Sequence, residues 1–139
     1  MQIGLLLAAM IVVSSVEVNQ KESASLKPTK MLVEVWCGGD DNLTRGVCIF
    51  AENAFASSAD FALANEESKG TLVVRIPTNV NWKEINQRTR VFYFVEFSSV
   101  DAKKLNKNKG ECWEDELAVC ANLVVKGAKL AQRKMLAKH

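Results

Sequence analysis

Four cysteines, Cys37, Cys48, Cys112 and Cys120, set the tightest limit on how this 139-residue chain can fold. Cysteines that pass through an oxidising compartment are expected to pair, which predicts two disulfides. Sequence leaves the pairing open, and the local pattern, Cys37–Cys48 with Cys112–Cys120, is favoured because short loops close most easily. Zinc is the alternative, but it needs closely spaced cysteines and usually histidine, whereas the one histidine is the last residue. We therefore expect no metal and no cofactor.

The N-terminus indicates that the chain enters the oxidising secretory pathway. Residues 1–15, MQIGLLLAAMIVVSS, form an apolar run that ends in small residues suited to signal peptidase. The run is shorter than the roughly 20 apolar residues that span a bilayer, and polar residues follow it at once. A buried core helix is the alternative. We predict a signal peptide at 1–15 and a secreted, extracellular product.

Composition divides the remaining chain into a domain with two polar ends. Residues 16–30 are polar and aperiodic, which predicts a flexible N-terminus. Residues 31–125 hold the apolar patterns and the cysteines, and their length suits a single disulfide-stabilised domain. Residues 126–139 predict a basic C-terminal tail. Residues 1–70 carry five Lys/Arg against nine Asp/Glu, and the rest carry thirteen against seven, an asymmetry that aids solubility or orients the protein toward an acidic partner.

Apolar periodicity predicts one long helix and a small sheet. Residues 31–36 alternate as in a strand, and residues 44–68 are Ala-rich with apolar side chains at helical spacing. Gly70 can end that helix because it tolerates a left-handed backbone. Residues 72–76 and 90–97 are β-branched or aromatic runs and predict two further strands. We therefore expect an α+β fold in which one long helix packs on a small antiparallel sheet, with two disulfides.

The second half of the chain adds the faces of one strand and two further segments. In the strand at 90–97, alternation places Val91 and Tyr93 on one face and Phe92 and Phe94 on the other. Residues 101–110 are rich in Lys and Asn and predict a solvated loop. Residues 120–125 fit a third strand, or a helical face together with the apolar positions around them. We favour the strand.

No pattern of catalytic residues is present in the sequence. A serine or cysteine nucleophile needs a base beside it, and His139 stands at the chain end. The acidic cluster at 111–116 is more typical of a solvated turn than of a carboxylate pair. The lysines of 101–110 have no aromatic residue between them for base stacking. We expect no enzymatic activity and no nucleic-acid partner.

One modification motif is present. Asn42-Leu43-Thr44 is an N-glycosylation sequon, in a Gly- and Asp-rich stretch that favours an exposed loop. It predicts a glycan on Asn42.

Two segments resemble the cystatin superfamily. Residues 61–68, FALANEES, resemble the end of the cystatin helix, and residues 91–97, VFYFVEF, resemble the strand after the first inhibitory hairpin. The resemblance implies a helix gripped by an antiparallel sheet and a wedge that enters a papain-like protease. It places the contact edge at the position of the family's QxVxG hairpin and at a tryptophan that here lacks a preceding proline. The residues of this edge are Asn86, Gln87, Arg88, Thr89, Arg90 and Trp113.

The resulting hypothesis is a monomeric, secreted protein-binding module that acts as a cystatin-like protease inhibitor. Its expected partner is an extracellular protein, with proteases among the candidates. Two alternatives remain open from the sequence. One is a cationic, membrane-active host-defence protein that uses the tail at 126–139, and the other is a carrier of a small ligand.

Overall fold

The computed structural model describes residues 29–65 and 68–137. The predicted signal peptide, most of the predicted flexible N-terminus and His139 lie outside these residues. The elements are numbered in chain order. They are β1 Met31–Cys37, α1 Asn42–Ala56, β2 Phe61–Leu63, β3 Leu72–Ile76, β4 Asn81–Ile85, β5 Arg88–Ser99, β6 Lys104–Trp113, a 3₁₀ turn Glu114–Glu116 and α2 Leu117–Leu136.

A six-stranded mixed sheet forms one layer of the fold. Strand β1 pairs in parallel with β2 on one side and with β3 on the other. Strand β5 pairs antiparallel with β3, β4 and β6. β3 lies opposite residues 96–99 of β5 and β4 lies opposite residues 88–92, so that both occupy one edge of β5 while β6 runs along its other edge. The two parallel pairs contradict the antiparallel sheet expected from the sequence.

Both helices pack on the same face of this sheet. The disulfides Cys37–Cys48 and Cys112–Cys120 join β1 to α1 and β6 to α2, which confirms the favoured local pairing. Register places both strand cysteines on the face that carries the fully buried Val91 of β5. Since successive strand residues point to opposite sides, the other face of the sheet is left without a helix among the described residues.

Helix α1 spans residues 42–56, so it starts two residues earlier and ends twelve residues earlier than the predicted range of 44–68. Asp41 caps it, because its carboxylate accepts a bond from the Thr44 N–H at 2.6 Å, and this bond lowers the Asp41 pKa. The helix ends at Ala56, and Phe61 belongs to β2 instead. The Phe61 and Phe55 rings contact each other edge to face, with their centroids 5.4 Å apart. Phe61 is therefore a core residue, as the helical pattern predicted, but it lies on a strand.

The strand favoured at 120–125 is wrong. Residues 117–136 form the single helix α2, whose buried side is Cys120, Ala121, Val124, Gly127, Ala128 and Ala131. This spacing of three and four residues continues well beyond residue 125, which decides between helix and strand. The segment from residue 126 onward therefore continues α2 to Leu136, with buried positions as far as Ala131, rather than forming a separate tail. No helix of the described residues is long and apolar enough to cross a membrane.

Residues 101–110 are also not the predicted loop, since β6 starts at Lys104. Its pairing with β5 over most of its length outweighs the low strand propensity of Lys and Asn. The described structure therefore has two helices on a larger mixed sheet. The predicted architecture, one long helix on a small antiparallel sheet, is wrong.

Candidate functional site

The uncovered side of the sheet is called the open face here. Register defines it, because residues paired directly across strands point to the same side. One transverse row crosses four strands and contains Trp36, Arg75, Glu96 and Lys107. The rows toward the β4–β5 hairpin contain Phe94 with Lys109, then Asn81 with Phe92 and Glu111, then Lys83 with Arg90 and Trp113, and finally Ile85 with Arg88.

The open face carries an excess of positive charge. Its cations are Arg75, Lys83, Arg88, Arg90, Lys104, Lys107 and Lys109, and its anions are Glu34, Glu96 and Glu111. Among the described residues, five of the cations have no carboxylate within 4.0 Å. These five are Arg75, Lys83, Lys104, Lys107 and Lys109. The surface therefore offers cationic groups outside ion-pair distance of the described carboxylates, with Glu96 lying directly opposite Arg75 and Lys107 in their row.

Aromatic side chains lie between these charges. Trp36 is 55% exposed, and Phe92 and Phe94 are half-buried. The Trp36 ring N–H donates to Glu34 at 3.1 Å, and the Gly70 N–H donates to the same carboxylate at 2.6 Å. The Gly70 bond first, and then the Trp36 bond, lower the pKa of Glu34 and keep it charged. The exposed tryptophan is thus held in place by a fixed carboxylate.

The predicted contact residues meet at one end of the open face. Asn86 and Gln87 form the β4–β5 turn with positive φ angles of 51° and 65°. Arg88 and Arg90 place their guanidinium carbons 4.2 and 4.7 Å from the Trp113 ring centroid, whereas Thr89 points to the opposite side of β5. The structure therefore brings the two arginines and the tryptophan together. Their role in binding stays a prediction.

Most of the charge in this cluster is compensated. Arg88 lies 2.8 Å from Asp115 and 3.9 Å from Glu116, and Arg90 lies 3.3 Å from Glu111. These ion pairs join the hairpin to β6 and to the turn that follows it. The cluster thus reinforces the end of the sheet, and the uncompensated cations lie elsewhere on the open face.

A groove lies beside the segment that connects β3 to β4. Pro77 has no N–H for the sheet, and residues 77–80 leave β5 before β4 joins it. The groove has a volume of about 470 Å³ and is lined by Phe92 and Phe94 from β5, by Lys109 and Glu111 from β6, and by residues 78, 79 and 81 on the other side. Its size lies within the range of about 300–1,000 Å³ that is typical of ligand sites.

The wall formed by residues 77–80 is fixed by α1. Asn79 accepts bonds from the N–H groups of Asp40 and Asp41 at 2.8 and 3.3 Å, and its side-chain amide donates to the Asp40 carboxylate at 3.0 Å. The fully buried Thr44 accepts a bond from the Val80 N–H at 2.9 Å. The start of α1 thereby holds the groove open.

Beneath the groove, Tyr93 points to the helix side of the sheet. Its ring packs across Gly110, where a Cβ would collide with the ring. Burial raises the pKa of Tyr93 to about 12. The hydroxyl therefore stays neutral at physiological pH.

Sequence reasoning found only part of this surface. The alternation of residues 91–97 placed Phe92, Phe94 and Glu96 on a face of their own, and this is confirmed. Lys107 and Lys109 were missed as site residues because β6 was taken for a loop, and Arg75 was missed because its neighbours across the sheet were then unknown. The alternation of Lys107, Lys109 and Glu111 with Asn and Gly was the signal that could have found them.

The predicted glycosylation site lies at the start of α1. Asn42 is exposed, but the Thr44 of its sequon is fully buried and its hydroxyl is hydrogen-bonded. Glycosylation stays a prediction, and we expect that it would have to precede folding of this segment.

No cluster of three His, Cys, Asp or Glu side chains that could hold a metal ion occurs within residues 29–65 and 68–137. All four cysteines are in disulfides and are unavailable as thiolate ligands or nucleophiles.

Comparison with solved structures identifies similar folds. The chain matches the protein XCC0632 of Xanthomonas campestris, from the family DUF330, at a TM-score of 0.56 and 9% identity, over 81% of this chain and 91% of that one. It also matches a PelC dodecamer of Paraburkholderia phytofirmans in two crystal forms. Their TM-scores are 0.48 and 0.46, with identities of 14% and 13%, over 74% of this chain and 86% and 87% of the PelC chains. No family model matches the chain, and no curated protein matches it.

The match to XCC0632 contradicts the cystatin resemblance. That protein shares the fold of this chain, which is a mixed six-stranded sheet rather than one helix gripped by an antiparallel sheet. The prediction of a cystatin-like protease inhibitor is therefore wrong. The two alternatives are not supported either. Gly127, Ala128 and Ala131 of the predicted tail are buried within α2, and buried side chains occupy the core between the helices and the sheet.

Proposed function

We propose that this chain is a secreted, non-catalytic docking protein whose open face binds an acidic segment of another polypeptide. The observation that carries the proposal is the set of five cations on the open face that have no carboxylate within 4.0 Å among the described residues. Cations on a flat surface raise the association rate with an acidic partner and disfavour basic ones. Secretion is proposed from the N-terminal run at 1–15.

The arrangement of the open face supports contact with a protein surface. Interface cores are enriched in aromatic side chains and arginine, and the row of Trp36 and Arg75 supplies both on one side of the sheet. Trp36 is more than half exposed although a carboxylate orients it, so it is placed to contact a partner. The nearby Lys107 adds charge that would complement an acidic segment.

The test is binding of the oxidised chain, residues 16–139, to fluorescein-labelled poly-L-glutamate, followed by fluorescence anisotropy. We expect binding at about 50 mM salt and at least a fivefold weakening at about 500 mM, because screening shortens the reach of exposed charges. A single-stranded oligonucleotide of equal charge is the competing anion. Tighter binding to the oligonucleotide than to poly-L-glutamate would overturn the proposal, together with the prediction that no nucleic acid is bound.

Matched variants locate the surface. Arg75→Gln with Lys107→Gln removes two charges from the open face, and Lys126→Gln with Arg133→Gln removes two from α2. We expect the first pair to weaken binding by about tenfold, which corresponds to about 1.4 kcal/mol, and the second pair to change it by less than twofold. Equal losses from both pairs would mean that only net charge matters and that the open face is not the binding surface.

A further inference from the structure

We infer that the groove between β4 and β6 binds the C-terminal residue of a polypeptide, with an apolar side chain on Phe92 and Phe94 and the terminal carboxylate at Lys109. The inference rests on the proposed function, since it names the part of the partner that the open face would anchor. The groove lies beside the row that contains Arg75 and Lys107, but neither of those residues lines it. The two ideas can therefore fail separately.

The floor of the groove is apolar and its one uncompensated charge is positive. Phe92 and Phe94 are half-buried neighbours on the same side of β5. Of the two charged residues that line the groove, Glu111 is paired with Arg90 at 3.3 Å, whereas Lys109 has no carboxylate within 4.0 Å among the described residues. A ligand that satisfies this groove combines an apolar group with a single anionic group.

Register sets the spacing between those two groups. Lys109 lies directly opposite Phe94, and directly paired residues have Cβ atoms about 4.5–5.5 Å apart. A C-terminal residue matches this spacing, because its carboxylate and its side chain leave the same Cα atom. The carboxylate of an internal Asp or Glu lies on a different residue from any neighbouring apolar side chain, so the match is poorer.

The opposite wall can bind the last peptide group. The Asn79 side chain makes three hydrogen bonds to Asp40 and Asp41 in the loop before α1, which fix this wall. Asn81 is exposed, lines the groove and lies opposite Phe92. Its amide has both a donor and an acceptor for a ligand's peptide N–H and C=O.

The experiment compares N-acetyl-phenylalanine with its uncharged C-terminal amide, titrated into isotope-labelled protein and followed by NMR. We expect the acid to bind with a Kd of about 1 mM and to shift the backbone signals of residues 92–94 and 109–111. The amide is expected to bind at least fivefold more weakly. Equal affinity for acid and amide, or shifts confined to other parts of the sheet, would overturn the inference.

A pair of lysine variants on the same strand provides the control. Lys109→Gln should abolish the preference for the acid over the amide, whereas Lys104→Gln, which lies outside the groove, should keep it. An unchanged preference in Lys109→Gln would exclude the proposed carboxylate contact. If the Arg75 and Lys107 variants leave poly-L-glutamate binding intact while the groove still prefers the acid, the docking proposal fails and the groove assignment remains.

Discussion

Gly127→Ala in α2 is expected to destabilise the protein, although alanine is the better helix former. A Cβ at Gly127 would lie 2.8 and 2.9 Å from two ring carbons of Phe97, and it would also meet the side-chain amide of Asn108. The Phe97 side chain is almost fully buried, so it cannot move aside into solvent. The helix gains about 1 kcal/mol from alanine, but overpacking of a core costs about 1–3 kcal/mol. We predict a net loss of about 1 kcal/mol.

Gly46→Ala in α1 is the matched control. The nearest atom to a Cβ at this position is a terminal methyl of Leu117 at 3.2 Å, which can shift at little cost. We expect this variant to gain about 0.5–1 kcal/mol from helix propensity. The two glycines therefore differ in the sign of the effect, because only Gly127 lets a helix approach the sheet closely.

Urea unfolding of the oxidised variants measures both effects. With a slope of about 1–3 kcal/mol/M, a difference of nearly 2 kcal/mol separates the two midpoints by about 1 M. The slopes should not change, since the same surface is exposed on unfolding. A Gly127→Ala variant at least as stable as the wild type would refute the close packing of α2 against β5 and β6.

Two further predictions concern the hairpin turn and the core. Gln87→Gly should stabilise the protein by about 0.5–1 kcal/mol in the same urea assay, because Gln87 has a φ of 65° that glycine adopts without steric cost. Burial raises the pKa of Tyr93 to about 12, so the stability gained by keeping this phenol neutral is complete below pH 10 and is lost as the pH rises toward 12. The free energy of unfolding should fall by about 2–3 kcal/mol over this range. Phenolate absorbance reports the ionisation directly, since Tyr93 is the one tyrosine of the chain, and titration near pH 10 in the folded state would show that the ring is not buried.

Parts of the fold followed directly from sequence. The alternation of β5 was correct because one of its faces is fully buried, and a buried face leaves a regular period of two. The two disulfides were anticipated because each closes a short loop, with separations of 11 and 8 residues.

Other elements left no clear signal in the sequence. All five residues of β4 are exposed, so no apolar period marks this strand, and it is held by the hairpin and by β5. In β6 the side chains of the open face are lysines and a glutamate, which resemble a loop in composition. The predicted helix was too long and included the residues of β2. The reason is that Phe61 packs in the same core as Phe55, which imitates the apolar spacing of a helix.

The open face could not be assembled from sequence for the same reason. Its unpaired cations come from β3, β4 and β6, and two of these strands were not anticipated. The arginine and tryptophan cluster at the hairpin was named in advance, but from a family resemblance that the fold contradicts. Its ion pairs with Asp115 and Glu111 depend on the course of β6 and the turn after it.

The most direct measurement is an NMR map of the residues that poly-L-glutamate perturbs in the folded, oxidised chain. We predict that the perturbed amides lie in β3, β5 and β6, with the strongest shifts near Arg75 and Lys107. Shifts concentrated on the outer surface of α2, where Lys126 and Arg133 lie, would contradict the assignment of the open face as the functional surface. The absence of any shift at low salt would contradict the docking proposal itself.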